Sequence, residues 1–253
     1  MDNRVDVLIQ PVLLRFALQE DEIVYFFAAA VDAQLDRLEL MMGIDPARQQ
    51  LFDSNLGFLP VATTVLIRGE RTIVVDPGNH HTGFYGQLGL ALRRFELSPS
   101  DVDIVVCTHC HHDHMASVSQ FPGTDLVMGE GEADFAAELY GNEETEARLA
   151  VMGRLIEVPR GGELELAPGV TVVSTPGHTP GHISVAVEAG PERIVVAGDT
   201  AMTRREYLER SFSHWYTEKQ LRQLNASVDT LESLAPTRVL PGHDRAFTPR
   251  EGT

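Results

Sequence analysis

Lysine is almost missing. Lys219 is the one lysine among 20 Lys and Arg, against 37 Asp and Glu. The formal net charge of −17 argues against a surface built to dock nucleic acid or an anionic membrane, since both call for a basic patch. Long apolar runs are missing too. With tyrosine set aside the longest, Phe26 to Val31, has six residues, whereas a membrane-spanning helix needs about 20. No basic stretch precedes an apolar one at the N-terminus, so no targeting segment is expected and the chain reads as soluble and cytoplasmic. Cysteines number two, Cys107 and Cys110. A zinc ribbon would need a second pair. A redox pair is open, but a buried strand end for Cys107 and a spacer role for Cys110 explain both thiols, and a reducing compartment suits them.

The 253 residues, 43% of them hydrophobic, are enough for a sizeable core, and one domain over 1–253 is expected. Residues 5–16 read as an opening strand that Pro11 interrupts. Residues 20–60 show no clean period and read as a variable loop with helical pieces, the kind of insertion that often walls a substrate site. From Thr63 the pattern sharpens. Thr63–Ile67 and Thr72–Val75 form a hairpin signal around Arg-Gly-Glu-Arg. A helix is expected over 82–96, a buried strand at Val102–Val106, and a helix from about His114. Residues 130–152 read as helix with a break near Gly141. Strands follow at 154–158, 170–174, 183–187 and 193–197. Thr217-Glu218-Lys219-Gln220 matches a capping box. Leu221, Leu224, Val228, Leu231 and Leu234 then give an amphipathic helix, and Arg238–Leu240 a last strand.

Four of the ten histidines fall within Thr108-His109-Cys110-His111-His112-Asp113-His114, directly after a buried strand. Burying several ionisable groups together is costly unless something compensates them, and a divalent metal does so directly. His109 and His111 can aim two nitrogens at one ion, while Asp113 and His114 turn toward a second. Three further strand ends carry one candidate each: His178 in Thr-Pro-Gly-His, Asp199 after Val-Val-Ala-Gly, and His243 in Pro-Gly-His-Asp. In each case glycine precedes the ligand-type side chain and lets the backbone turn tightly. Asp76, in Asp-Pro-Gly, either accepts a hydrogen bond from a ligand imidazole or simply caps its turn. His182 braces the His178 loop, and His112 is a spacer. His80 and His81 follow Asn79 in a turn, and His214 with Trp215 belongs to an aromatic cluster.

In these motifs the sequence resembles the metallo-β-lactamase superfamily of binuclear metallohydrolases. Asp76-Pro77-Gly78, the His109–His114 run, His178, Gly198-Asp199 and Gly242-His243 carry the resemblance, over residues 63–247. It implies an α/β fold, an αββα sandwich of two mixed sheets with the metal site at one edge. It implies two divalent ions, zinc first with iron or manganese as alternatives. His109, His111 and His178 would hold one, Asp113, His114 and His243 the other, and Asp199 would bridge them. A hydroxide shared by two such ions is a nucleophile that needs no serine or cysteine, and Asp113 is the candidate for proton transfer. The layout is most similar to the N-acyl-homoserine lactonase branch. Those lactonases place a tyrosine three residues after the bridging aspartate. Met202 stands there in this chain, with Tyr207 and Tyr216 as possible replacements. The expected function is hydrolysis of a small ester, lactone or thioester. A phosphodiesterase or nuclease is the first alternative, and an iron-dependent dioxygenase or a non-hydrolytic metal-binding protein the second. The expected partner is a small-molecule substrate, with neither nucleic acid nor membrane, and a homodimer is left open.

Overall fold

The computed structural model describes residues 2–10, 12–19, 22–29, 56–78, 87–213 and 216–249. Among the described residues fourteen strands fall into three sheets. The first sheet has the order β1 (Arg4–Ile9), β5 (Thr64–Arg68), β6 (Thr72–Val75), β7 (Ile104–Val106), β8 (Asp125–Gly129), β9 (Leu155–Val158). It is antiparallel from β1 to β6 and parallel from β6 to β9. The second runs β10 (Glu163–Ala167), β11 (Val170–Ser174), β12 (Ile183–Ala189), β13 (Glu192–Gly198), β14 (Arg238–Pro241). Here the first three pairings are antiparallel and β13–β14 is parallel. The third joins β3 (Glu22–Ala29), β2 (Val12–Gln19) and β4 (Leu56–Val61).

Period-two alternation in short β-branched strands sends successive side chains into different layers. Val65, Ile67, Ile73, Val75, Val106 and Val127 meet Val172, Ile183, Val185, Val187, Ile194, Val196 and Leu240 between the two large sheets. The alternate residues Leu66, Val74, Val105 and Leu126 pack outward, with Leu88 and Leu92 of α1 (Gln87–Arg93) and Met115 of α2 (His112–Met115). On the far face Val195 and Ala197 meet Tyr207 of α5 (Arg204–Glu209) and Val228 and Leu231 of α6 (Glu218–Ser233). The architecture is therefore helices, sheet, sheet, helices, as the resemblance implies. Among the described residues no helix is long and apolar enough to cross a membrane.

Most predicted elements are present with shifted ends. The opening strand is two strands, β1 and β2, on either side of position 11. The helix expected from His114 is one turn, because Pro77 and Gly78 carbonyls bind Ser117 and end it against the neighbouring loop. The expected break at Gly141 separates α3 (Glu132–Tyr140) from α4 (Asn142–Leu149), with that glycine at a φ of 90°. The reading of 20–60 as loop with helical pieces is corrected at both ends, since Glu22–Ala29 and Leu56–Val61 are strands. Glu-Ile-Val-Tyr-Phe-Phe-Ala-Ala is rich in strand formers, but its unbroken apolar run hides the alternation that would have marked it. Residues 30–55 lie outside the described residues, as do His80, His81, His214 and Trp215.

The second sheet and the loop leading into it come close at Gly129, the last residue of β8. A Cβ there would fall on the Gly181 carbonyl and press the Ile183 side chain. Gly129→Ala is therefore expected to cost about 1–3 kcal/mol through overpacking, read as a lower midpoint of denaturant unfolding with unchanged slope.

Candidate metal centre

β11, β13 and β14 run in the same direction, so Thr175–His182, Asp199 and His243 emerge at one edge of the second sheet. The loop after β7 brings His109 to His114 to the same edge, since the His109 ring lies 4.7 Å from that of His178. The register of β13 against β14 shifts between Val196 and Gly198, immediately before Asp199. Gly198 takes a φ of 53°, and a Cβ on it would meet Thr108 Oγ1 at 2.7 Å and His182 Nε2 at 2.8 Å. Gly242 is as constrained, because a Cβ there would fall on Asp199 Oδ1. The glycines before Asp199 and His243 are thus required by close approach.

All seven residues singled out for metal binding come together. His111 Nδ1 lies 2.9 Å from His109 Nε2 and 2.9 Å from His178 Nε2. On the other side His243 Nε2 is 3.4 Å from His114 Nε2 and 3.3 Å from Asp113 Oδ2, with Asp113 Oδ2 3.5 Å from His114 Nε2. Asp199 stands between the two groups. Its Oδ2 is 3.3 Å from both His178 Nε2 and His243 Nε2, and its Oδ1 is 3.4 Å from His114 Nε2. Donors about 2.0–2.1 Å from a tetrahedral ion stand roughly 3.3 Å from one another. The observed spacings of 2.9–3.5 Å match such an arrangement. Asp113 Oδ2 and Asp199 Oδ1 are buried and accept no hydrogen bond. The donor set therefore fits divalent cations, which would compensate those oxygens.

Charge divides the site. Burial, reinforced by the neighbouring imidazoles of His114, His111 and His178, holds His109 well below the usual histidine range. Burial lowers His178 and His111 as well, so this group offers neutral lone pairs. His114 and His243 are buried too, but the carboxylates around them outweigh burial and raise both. Asp199 is driven well below the usual carboxylate range because His243, His114 and His178 overcome its burial.

A surrounding layer fixes the donors. Asp76 is buried, with a φ of 52°. It accepts from Thr108 N–H at 2.7 Å, from the Thr108 hydroxyl at 2.8 Å and from His114 Nδ1–H at 2.8 Å. It thus orients an imidazole rather than only capping a turn, and leaves His114 Nε2 free to bind. His182 Nε2 accepts from Asp199 N–H at 3.0 Å, and Nδ1 lies 2.9 Å from Thr175 Oγ1. Burial pushes His182 down to about 3, so it braces both loops as a neutral ring. Of the two tyrosines weighed at Met202, Tyr216 reaches the centre, its hydroxyl 2.6 Å from His178 Nδ1 and 4.0 Å from Met202 Sδ. Tyr207 packs against Phe247 in the outer core. His112 points away, beside Arg148 and the Tyr140 ring. Cys107 and Cys110 are buried free thiols that burial pushes up, which suits packing rather than redox exchange.

Sequence reading missed Glu132. It is fully buried in the first turn of α3 and accepts three hydrogen bonds from the two histidine loops. An acid at a helix start is ordinarily a solvent-exposed complement to the dipole, so nothing in Gly-Glu-Gly-Glu distinguishes it. Glu206, also missed, accepts from Met202 N–H at 2.7 Å, and the Met202 carbonyl in turn accepts from His243 N–H.

Residues 56–243 match the profile of the metallo-beta-lactamase superfamily. The chain belongs to that superfamily, a family of metal-dependent hydrolases. It is 25% identical over 244 residues to an N-acyl homoserine lactonase of Bacillus cereus, covering 87% of this chain and 92% of that protein. It is 26% identical over 210 residues to the beta-lactamase-like protein 2 homolog of Drosophila melanogaster, covering 80% of this chain and 62% of that one. A solved N-acyl homoserine lactone hydrolase, with N-hexanoyl-L-homoserine bound at its catalytic metal centre, superposes with a TM-score of 0.63 at 20% identity, over 96% of this chain and 93% of that one. At that identity the likeness speaks to the fold.

Two outcomes are expected of this superfamily member's outer layer. Asp76→Asn must place an amide against either Thr108 N–H or His114 Nδ1–H, and should weaken metal retention about 10–100-fold in chelator competition. Glu206 is pushed up to about 8, chiefly by burial. Its protonated form belongs to the folded chain, so the stability it contributes is full below the usual glutamate range and falls as pH rises toward about 8. Glu206→Gln should therefore match wild type in thermal unfolding at low pH and melt above it at alkaline pH. Parallel curves at both extremes would contradict this.

Proposed function

We propose that the chain hydrolyses a small ester, lactone or thioester with two divalent cations, zinc being the expected species. The observation that carries this reading is the meeting of two donor groups at Asp199, with the buried oxygens Asp113 Oδ2 and Asp199 Oδ1 left uncompensated beside His243 and His114. His109, His111 and His178 would hold one ion, Asp113, His114 and His243 the other, and Asp199 would reach both. Bound there, the pair supplies a water acidified toward a pKa of about 7 and an electrophile for the scissile oxygen.

The chain's own groups do the rest. His109, His111 and His178, held neutral by burial, would add no charge of their own to an ion they held, which would suit it to polarise a substrate oxygen. Asp113 lies beside His243 and His114 in the other donor group and is the chain's candidate to take a proton from the nucleophile and return it to the leaving group. Tyr216 and Met202 flank the His178 side, so bulk there bears on which acyl or lactone groups enter. The lactonase relative, matched over most of its length, supports carbonyl rather than phosphoryl substrates. The excess of acidic residues supports it further.

The test is a panel of lactones, acyl thioesters and a chromogenic phosphodiester, each with and without chelator. A lactone or thioester should be turned over at least tenfold better than the phosphodiester in kcat/KM. Chelator should abolish that turnover and added zinc restore it. Preferential phosphodiester cleavage would overturn the substrate class, and turnover indifferent to chelator would overturn the metal.

A further inference from the structure

The three histidines of the neutral half come from two separate segments. His109 and His111 lie after β7, and His178 lies between β11 and β12. The two loops follow strands of different sheets, and a backbone bond from Ile183 N–H to the Thr108 carbonyl at 2.9 Å ties them only at their base, yet His111 and His178 must approach to 2.9 Å. Glu132 stands where they meet. Its Oε1 accepts from Cys110 N–H, between the two histidines, at 2.9 Å. Its Oε2 accepts from the Thr179 hydroxyl at 3.0 Å and from Gly181 N–H at 2.8 Å, on either side of Pro180. A Cβ on Gly181 would meet Glu132 Oε2 at 2.8 Å and the Glu130 carbonyl at 2.9 Å, so the loop has no room to move inward.

We propose that Glu132 is a positioning residue that clamps the two histidine loops at the separation one metal ion needs, and that it acts on the His109–His111–His178 half alone. The other half has its own anchors, Asp76 on His114 and the Met202 carbonyl on the His243 backbone. A carboxylate suits the clamp because it accepts on both oxygens. A glutamine of the same shape can accept on one and must set its amide against N–H donors on the other. The inference rests on the metal-centre reading and not on the substrate.

The experiment is a metal inventory of E132Q by elemental analysis and chelator competition, alone and combined with His178→Ala or His243→Ala. Wild type should retain two ions per chain and E132Q about one, with affinity at the weakened half down about 10–100-fold. Added to His243→Ala, E132Q should strip the remaining ion. Added to His178→Ala, it should change little, because that half is already lost. Thr179→Val removes one of the three bonds and should show the same pattern in milder form, which carries the test if E132Q does not fold. Cobalt absorption of each protein reports whether the surviving ion keeps its coordination. Unchanged retention, or equal loss in both backgrounds, overturns the clamp. Wild type without ions overturns the metal centre itself. None of these readouts involves turnover, so a failed substrate panel leaves the result standing.

Discussion

Carboxylate oxygens sealed from water without a donor set the terms for the rest of this structure. Asp113 Oδ2 and Asp199 Oδ1 are in that state, with five imidazoles crowded around them. Such an arrangement is unfavourable for a protein alone and favourable around cations. Much else follows from holding it. The glycines before Asp199 and His243 exist for close approach, β13 shifts register one residue before its ligand, and Asp76 sits in a left-handed conformation to meet Thr108 and His114.

The site is not symmetric. Neutral rings line one side, and carboxylates with raised histidines line the other. The supporting groups divide the same way. Asp76 fixes the tautomer of a ring directly, whereas Glu132 gathers backbone from two loops and touches no candidate donor atom. His182 spans the divide, since Thr175 in the His178 loop and Asp199 N–H meet on opposite nitrogens of one neutral imidazole.

What could be read in the sequence was whatever repeats a local rule. Ligand-type residues after glycine at the ends of apolar strands are such a rule, and His178, Asp199 and His243 obey it, whereas His109, His111, Asp113 and His114 stand out as a histidine-rich run directly after an apolar strand. The capping box at Thr217 and the leucine period after it likewise place α6 to within a residue of its observed ends. Glu132 and Glu206 obey no local rule, because Glu132 is buried by loops more than 20 residues away and Glu206 by folding back onto the Met202 N–H. β8 and β10 are short and flanked by polar residues, so neither stood out, and the unbroken apolar run of β3 concealed its strand. Layer order came from the resemblance; alternation within each strand agreed with it but did not by itself choose among sandwiches.

The parallel pairing of β13 with β14 sets an order of events during synthesis. β10 to β13 join through successive antiparallel neighbours, whereas β14 returns to β13 only after α5 and α6 have been made. His109, His111, His178 and Asp199 all follow strands whose pairings, other than that of β13 with β14, precede His243 in the chain. A chain made N-terminus first therefore completes the first donor group, and the aspartate between the groups, before the last histidine of the second is synthesised.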